Sequence, residues 1–253
     1  MPAVFLVQPI PASLADLTRK QLETYYWQAR NHDGAFKCAA LLQHFFDLFP
    51  ANTQVRVRTV DGKKTQDYIA PAGNRVILEW DMFQPKHLTA ALVLPDNMTY
   101  ITGGQDTAPH AAIGFPDPEG AGFTAILDLA ALQYGDVGYG NKGNSLFLLE
   151  PVRRYAEHLT QFADENTFES AQISFAIGPT PEGEWLISVA KKAKARLEAK
   201  ATTPWCGHCG APPGKETLKM CSKCKNAYYC DADHQKWAWP YHKHFCAPST
   251  PAT

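Results

Sequence analysis

The sequence predicts an α+β fold for residues 1–200, in which N-terminal helices are followed by a mainly antiparallel sheet and further helices. Three observations lead to this fold class. Apolar residues recur first at the 3.6-residue spacing of helices, then alternate as in strands, and later return to the helical spacing. Clusters of glycine and proline separate the strand segments. Six of the seven cysteines lie between Cys206 and Cys246, which indicates a separate, small C-terminal module.

The composition is that of a globular protein, since 45% of the 253 residues are hydrophobic and 19% are charged. A net charge of -1 gives no general attraction to nucleic acid or to anionic membranes, so neither is an expected partner. No segment approaches the roughly 20 consecutive apolar residues that a membrane-spanning helix needs. Residues 1–9 lack the features of a signal peptide, and we expect them to form a first strand. We therefore expect an intracellular protein, cytoplasmic and/or nuclear, with reduced thiols.

Two helices are predicted near the start of the domain. Ser13 and Asp16 fit a capping box for a helix that runs to about residue 30. The second helix covers about residues 36–49 and ends at Pro50. Five of its residues fall on one predicted buried face: Cys38, Leu41, Leu42, Phe45 and Phe49.

The strand region begins with a predicted hairpin. Residues 54–60 alternate in polarity, Asp61 and Gly62 form a turn signal, and residues 67–70 supply the second strand. Further strand segments are expected at residues 75–80, 90–94, 99–102, 111–115, 123–127 and 145–149. Residues 173–177 fit neither type of element clearly.

Two more helices complete the predicted domain. One covers residues 151–162, with Pro151 suited to the first turn. The other covers residues 182–200 and has a basic side, which we interpret as solvated, formed by Lys191, Lys192, Lys194 and Arg196. Residues 201–204 form a predicted linker to a module over residues 205–253.

The module contains eight potential metal ligands in four closely spaced pairs. The pairs are Cys206 with Cys209, Cys221 with Cys224, Cys230 with His234, and His242 with Cys246. Two cysteines separated by two residues can lie on one tight turn, so that both thiolates face the same ion. Two ligands at an i,i+4 spacing lie on the same face of a helix. Eight ligands suffice for two tetrahedral, structural zinc ions with no open position for water. The spacing alone allows either sequential or interleaved pairing.

A module of about 45 residues is too small to be stabilised by a hydrophobic core alone. Zinc binding contributes roughly 10–16 kcal/mol of apparent free energy in zinc-finger peptides. We therefore expect the module to be unfolded without metal.

The module resembles the MYND-type zinc finger. The resemblance rests on the cysteine pairs together with Tyr229-Cys230, Gln235, Trp239-Pro240, His242-Lys243 and Cys246. It implies interleaved pairing, in which Cys206, Cys209, Cys230 and His234 bind one zinc ion and Cys221, Cys224, His242 and Cys246 bind the other. The family usually has cysteine at the sixth ligand position, where this chain has His234, itself an ordinary zinc ligand. Asp233, His208 and His244 are the alternative ligands.

The resemblance also implies a role in binding other proteins, often through short proline-rich peptides. The family's peptide groove corresponds to Gln235 and Trp239, and an exposed tryptophan beside an amide suits such a ligand. The alternative is that Trp239 only packs within the finger. Lysine methyltransferases that carry this finger insert it within a longer catalytic domain, whereas here it follows the larger domain.

A second pattern lies in the larger domain and is formed by Cys38, His110 and Asp128. Cys38 stands near a predicted helix start, where the helix dipole would lower its pKa, and the other two lie on predicted strands. The pattern resembles transglutaminase-like and papain-like cysteine enzymes, which implies that Cys38 attacks an acyl group, His110 is the general base and Asp128 orients it. Ala112 stands where those enzymes usually have an aromatic residue. An inactive relic of that fold and an unrelated α+β domain remain open alternatives.

Overall fold

The protein is described by a computed structural model that covers residues 16–61, 64–93, 99–117, 122–172, 181–213, 217–243 and 246–248. The helices are α1 (Arg19–Asn31), α2 (Ala35–Asp47), α3 (Gly140–Gly143), α4 (Val152–Phe162), α5 (Pro181–Glu198) and α6 (Ala232–His242). The strands are β1 (Gln54–Asp61), β2 (Lys64–Pro71), β3 (Val76–Phe83), β4 (Ala90–Val93), β5 (Thr99–Thr102), β6 (Thr107–Pro116), β7 (Phe123–Asp128), β8 (Leu148–Pro151), β9 (Glu165–Gln172), β10 (Lys219–Met220) and β11 (Tyr228–Tyr229). This element order confirms the α+β class.

A five-stranded antiparallel sheet forms the centre of the larger domain, in the order β8-β7-β6-β3-β9. Strands β1 and β2 form the predicted hairpin, which pairs from Gln54 with Pro71 to Asp61 with Lys64. Strands β4 and β5 form a second antiparallel pair. The edge strand β9 was not predicted, and the expected strand at residues 1–9 and the unassigned stretch 173–177 lie outside the described residues.

Each face of the sheet carries its own hydrophobic cluster, because successive strand residues point to opposite sides. On one face, Trp80 and Met82 of β3 pack with Tyr155 and Phe162 of α4. The cluster on the other face joins α2 and the hairpin to the sheet, and it includes Ala39, Val57, Ile77, Ala111 and Ile113. The sheet therefore separates α2 from α4.

Helix α1 begins later than the sequence predicted. Its N-cap is Thr18, whose hydroxyl accepts a hydrogen bond from the Gln21 amide at 3.2 Å while the Gln21 side chain accepts one from the Thr18 amide at 2.9 Å. The motif type is as predicted, but it lies at Thr18 and Gln21; Ser13, where it was expected to begin, lies outside the described residues. Thr24 anchors the helix to a 3-10 segment at Ala131–Gly138 through a 2.7 Å hydrogen bond to Asp136.

Helix α2 buries a different face from the predicted one. Its buried residues are Ala35, Ala39, Ala40 and Gln43, whereas the predicted face contained the bulky residues and Cys38. Small side chains let the helix approach β6 closely, and larger ones such as Leu42 and Phe46 pack at its flanks.

Among the described residues, no helix is both long enough and apolar enough to cross a membrane.

Candidate metal centre

Eight side chains of the C-terminal module form two clusters, each with three thiols and one imidazole. The first cluster is Cys206, Cys209, Cys230 and His234, and the second is Cys221, Cys224, His242 and Cys246. Within each cluster the potential ligand atoms all lie within 4.8 Å of one another. The pairing is interleaved along the chain, as the family resemblance implied, and sequential pairing is excluded.

Each of the two Cys-x2-Cys pairs lies on a tight turn that ends in a left-handed residue. In the first turn Gly210 (φ 72°) donates its amide hydrogen to the Cys206 carbonyl at 2.9 Å. In the second turn Lys225 (φ 57°) donates to the Cys221 carbonyl at 3.1 Å. Each bond closes one i,i+4 turn, which reverses the chain and brings both thiols of the pair to the same ion position. Glycine adopts this conformation freely, whereas Lys225 is held in it.

Helix α6 supplies both histidine ligands. Asp231 caps the helix by accepting a hydrogen bond from the His234 amide at 2.8 Å, which fixes the first turn. His234 presents Nδ1 to the first cluster, 3.4 Å from the sulfur of Cys206. His242 lies at the other end of the helix and presents Nε2 to the second cluster, 3.4 Å from the sulfur of Cys221. The two sites therefore use different imidazole nitrogens.

The distances within the clusters fit tetrahedral zinc. The sulfur atoms of Cys209 and Cys230 are 3.7 Å apart, as are those of Cys221 and Cys246. Zn–S bonds of about 2.3 Å would hold two sulfurs of a tetrahedral site about 3.8 Å apart. Four protein ligands complete each site, so each zinc is structural and has no position for a reacting water molecule.

One thiol in each cluster has a lowered pKa. The hydrogen bond from Cys209 lowers the pKa of Cys206 to about 3, with desolvation opposing this effect and His234 supporting it. Desolvation raises the pKa of Cys221, but hydrogen bonds from the Cys224 amide and from His242 outweigh it and lower the pKa to about 6. The pKa of Cys209 is raised by the same hydrogen bond with Cys206, and desolvation raises that of Cys230 and Cys246, so these contacts favour the metal-binding thiolate form at one cysteine of each cluster only.

The structure distinguishes His234 from two of its competitors, His208 and Asp233. His208 lies outside the first cluster, with its ring centroid 4.8 Å from that of His234 and 5.3 Å from that of Trp237. Asp233 is exposed on α6, and His244 lies outside the described residues. His234 is the fourth ligand of the first site.

The finger packs against the larger domain through contacts that the sequence did not predict. Arg19 of α1 lies 3.4 Å from Asp231, and the Lys20 ammonium lies 5.4 Å from the centroid of the Trp237 ring. On the other side, the Arg196 guanidinium of α5 stacks 5.4 Å from Trp205 and donates to the Gly210 carbonyl. Arg196 is exposed, as expected for the solvated side of α5, but it also contacts the finger.

The two residues of the predicted peptide surface lie one turn apart on α6. Trp239 is 41% exposed, and the edge of its ring system meets His242 at a centroid distance of 5.8 Å. Gln235 is half-buried, and its backbone amide donates to the Asp231 carbonyl at 3.2 Å. The ring of Trp239 thus supports a zinc ligand and also presents apolar surface to solvent.

In the larger domain, His110 and Asp128 are in contact on neighbouring strands. His110 Nε2 lies 3.0 Å from the Asp128 carboxylate and 2.9 Å from the Tyr155 hydroxyl, and both residues are buried. His110 Nδ1 lies 3.3 Å from the side-chain amide of Gln133. Both imidazole nitrogens are therefore engaged, and none of these contacts is with Cys38. Sequence reasoning did not identify Tyr155 or Gln133, because neither has a fixed spacing from His110.

Cys38 is separated from this pair by its position in the fold. It lies on α2, which packs against the cluster containing Ala111, whereas the neighbouring His110 contacts Tyr155 of α4 on the opposite face of the sheet. Burial raises the pKa of the Cys38 thiol to about 12, and the charge of Asp128 adds to this effect. The expectation that the helix dipole lowers this pKa is wrong, because desolvation outweighs the dipole. A catalytic role for the three residues stays a prediction that these contacts disfavour.

Comparison with known proteins supports the interpretation of the C-terminal module. Residues 206–246 match the family model of the MYND finger. The module is similar to part of N-lysine methyltransferase SMYD2-B of Xenopus laevis, with 54% identity over 33 residues, and of SMYD2 of Homo sapiens, with 50% over 34 residues. For SMYD2 of Gallus gallus the identity is 49% over 41 residues. These alignments cover 13–16% of this chain and only 8–9% of each relative. No solved structure matches the chain significantly.

Geometry and similarity together define a zinc-binding protein with two closed Cys3His sites in its C-terminal module. That module is a MYND-type zinc finger over residues 206–246. The similarity to the methyltransferases is confined to the finger and assigns no activity to the larger domain.

Proposed function

We propose that the finger recruits a protein partner by binding a short proline-rich segment on the surface formed by Gln235 and Trp239. The observation that carries the proposal is the exposed ring of Trp239, held by a helix that two zinc ions fix in place. In proline-rich recognition, rigid aromatic surfaces receive the ligand's rings, and polar side chains bind the carbonyls between them. Gln235 lies one turn before Trp239, and its side-chain amide can donate hydrogen bonds to the carbonyls of the ligand.

In this proposal the larger domain, residues 1–200, is a scaffold, residues 201–204 are the linker, and residues 205–253 are the recruiting module. We expect this recruitment in the cytoplasm or nucleus. Acyl transfer by Cys38 is not proposed, because His110 already has partners at both nitrogens. Methyl transfer is not proposed either, since the similarity to methyltransferases stops at the finger.

The test is binding of the zinc-loaded full chain to an array of proline-rich peptides and to the same peptides with proline replaced by alanine. Peptides that bind are then titrated against Trp239→Ala and Gln235→Ala. We expect Trp239→Ala to weaken binding about 30-fold, since a central aromatic anchor contributes about 2 kcal/mol. The matched control is Trp185→Ala, which removes a 60% exposed tryptophan from α5.

The zinc content of each variant is measured alongside the affinity, because Trp239 also contacts a zinc ligand. Equal affinity of wild type and Trp239→Ala, with two zinc ions retained, would refute the proposed surface. Binding that does not distinguish proline-rich peptides from their alanine versions would refute the ligand class.

A further inference from the structure

The zinc ligand His234 has a second ring nitrogen that requires a hydrogen-bond acceptor. Because Nδ1 faces the first cluster, Nε2 points away from it and carries the hydrogen when Nδ1 binds zinc. His234 is only 3% exposed, and Nε2 is buried without a hydrogen-bond partner. A buried N–H of this kind needs an acceptor, and a neighbouring side chain can supply it.

Besides Asp231, which accepts the backbone amide hydrogen of His234, an acidic residue from the other domain lies near the His234 ring: Glu23 of α1. A carboxylate oxygen of Glu23 and one nitrogen each of His208 and His234 lie within 4.8 Å of one another. Glu23 is itself only 5% exposed, and the Lys20 ammonium lies 3.9 Å from its carboxylate. A buried carboxylate and a buried imidazole N–H thus meet at the domain interface.

We propose that Glu23 accepts the Nε2 hydrogen of His234 and thereby orients the imidazole that binds the first zinc ion. A carboxylate in this position fixes the tautomer and the ring plane of a zinc-bound histidine and raises its basicity. The proposal requires the Glu23 carboxylate to move from within 4.8 Å of a His234 nitrogen to hydrogen-bond distance of Nε2 when zinc is bound. Glu23 is a positioning residue, because it acts on the metal only through His234.

The neighbouring contacts hold α1 in the required place. Arg19 and Glu23 lie one turn apart on the same face of α1. Lys20, whose ammonium lies 3.3 Å from the centroid of the Tyr139 ring, borders this face. Arg19 meets Asp231, the residue that caps the helix of His234, and Lys20 lies near the face of Trp237. The ring of His208 packs beside His234 and completes the enclosure. The finger therefore depends on the larger domain for part of its first metal site.

A double-mutant cycle on the full chain tests the proposal. Glu23→Gln keeps the side-chain volume but removes the charged acceptor, and His234→Cys keeps a zinc ligand but removes the second nitrogen. Zinc affinity is measured in all four combinations by competition with a chromophoric chelator. The control is Glu150→Gln, which changes another buried glutamate lying 3.8 Å from a histidine, His158, away from the finger.

We expect Glu23→Gln to weaken binding of one zinc ion 10–100-fold in the His234 background, the usual effect of losing such a partner. In the His234→Cys background the same change should have less than a twofold effect, because no N–H remains to be held. Equal losses in both backgrounds would overturn the proposal, since they would reveal a general packing role. No loss in the His234 background would also overturn it.

Nitrogen-15 spectra of the histidine rings give a readout that a packing role would not change. In the zinc-loaded chain, His234 should show a metal-bound Nδ1 and a slowly exchanging Nε2 hydrogen, which exchanges faster in Glu23→Gln. Native mass spectrometry should find two zinc ions in both proteins. A third zinc ion that is lost in Glu23→Gln would show instead that Glu23, His208 and His234 form a metal site of their own, and would overturn the proposed role.

Discussion

At the scale of single residues, Cys38 shows the effect of burial on a thiol near a helix start. Helix α2 begins only three residues earlier, so its dipole favours the thiolate. Desolvation nevertheless dominates and raises the pKa to about 12, to which Asp128 contributes as a like charge. Sequence spacing reveals the helix start but not how deeply a residue is buried, and for this reason the expected direction of the pKa shift was wrong.

Cys38 should therefore resist alkylation at neutral pH. A rise in pKa from about 9 to about 12 leaves about a thousandfold less thiolate at any pH below 9, since each pKa unit is a factor of ten. Iodoacetamide at pH 7.5 should label Cys38 slowly in the folded chain and rapidly in denaturant, as measured by peptide mass spectrometry. Rapid labelling of the folded chain would contradict this expectation and would favour a nucleophilic cysteine.

The ligand assignment predicts a specific effect for His234→Ala. One zinc ion should be lost while the other is retained, because the second site has its own four ligands. Native mass spectrometry of the full chain measures the number of zinc ions per chain directly. The control is Asp233→Ala, which changes an exposed residue of the same helix turn and should keep both zinc ions. If the His234→Ala variant also kept two zinc ions, another side chain would have to complete the first site.

At the scale of elements, the sequence predicted well where the signals were local. All eight zinc ligands were identified, because pairs such as Cys206 with Cys209 and Cys230 with His234 have a spacing set by one turn or by one helix. The hairpin of β1 and β2 was found from alternation and an Asp-Gly turn. Strand β9 was missed because its sequence is mostly polar, as an edge strand allows, and its place depends on pairing with the distant β3.

Helix α6 should depend on its N-cap. Asp231→Ala removes the acceptor of the His234 amide and should cost about 1 kcal/mol of helix stability, the usual value for such a cap. Because folding and metal binding are coupled in the finger, the loss should appear as roughly fivefold weaker zinc binding in chelator competition. Asp231→Ser can still cap the helix but cannot form an ion pair with Arg19, so its zinc affinity should be close to that of the wild type. If Asp231→Ala and Asp231→Ser lost the same zinc affinity, the loss would come from the ion pair and not from the cap.

At the scale of the whole molecule, the two parts of the chain are stabilised by different means. The larger domain has a hydrophobic cluster on each face of its sheet. The buried cluster of the finger consists mainly of the metal-binding cysteines, with Tyr229 and Ala238. The composition and order of elements predicted this division, but contacts between the parts, such as Arg19 with Asp231, join residues 212 positions apart and leave no local signal.

Removal of zinc should therefore unfold one part and spare the other. A strong chelator should collapse the amide signals of residues 206–246 toward random-coil positions while those of β3 and β6 keep their dispersion, because their clusters contain no metal ligand. Two-dimensional NMR of the full chain with and without chelator provides the measurement. Persistent dispersion of the finger signals after complete metal removal would show that packing alone holds the module.

The position of α1 near the start of the chain determines when its contacts with the finger can form during synthesis. Its charged side meets the finger across an interval of 212 residues, which a ribosome takes roughly 10–40 s to translate. During that time the helix can dock on the segment at Ala131–Gly138 and Lys20 can contact Tyr139, but Arg19 cannot yet pair with Asp231. The first described helix of the nascent chain can thus complete its contacts only after the finger has been synthesised.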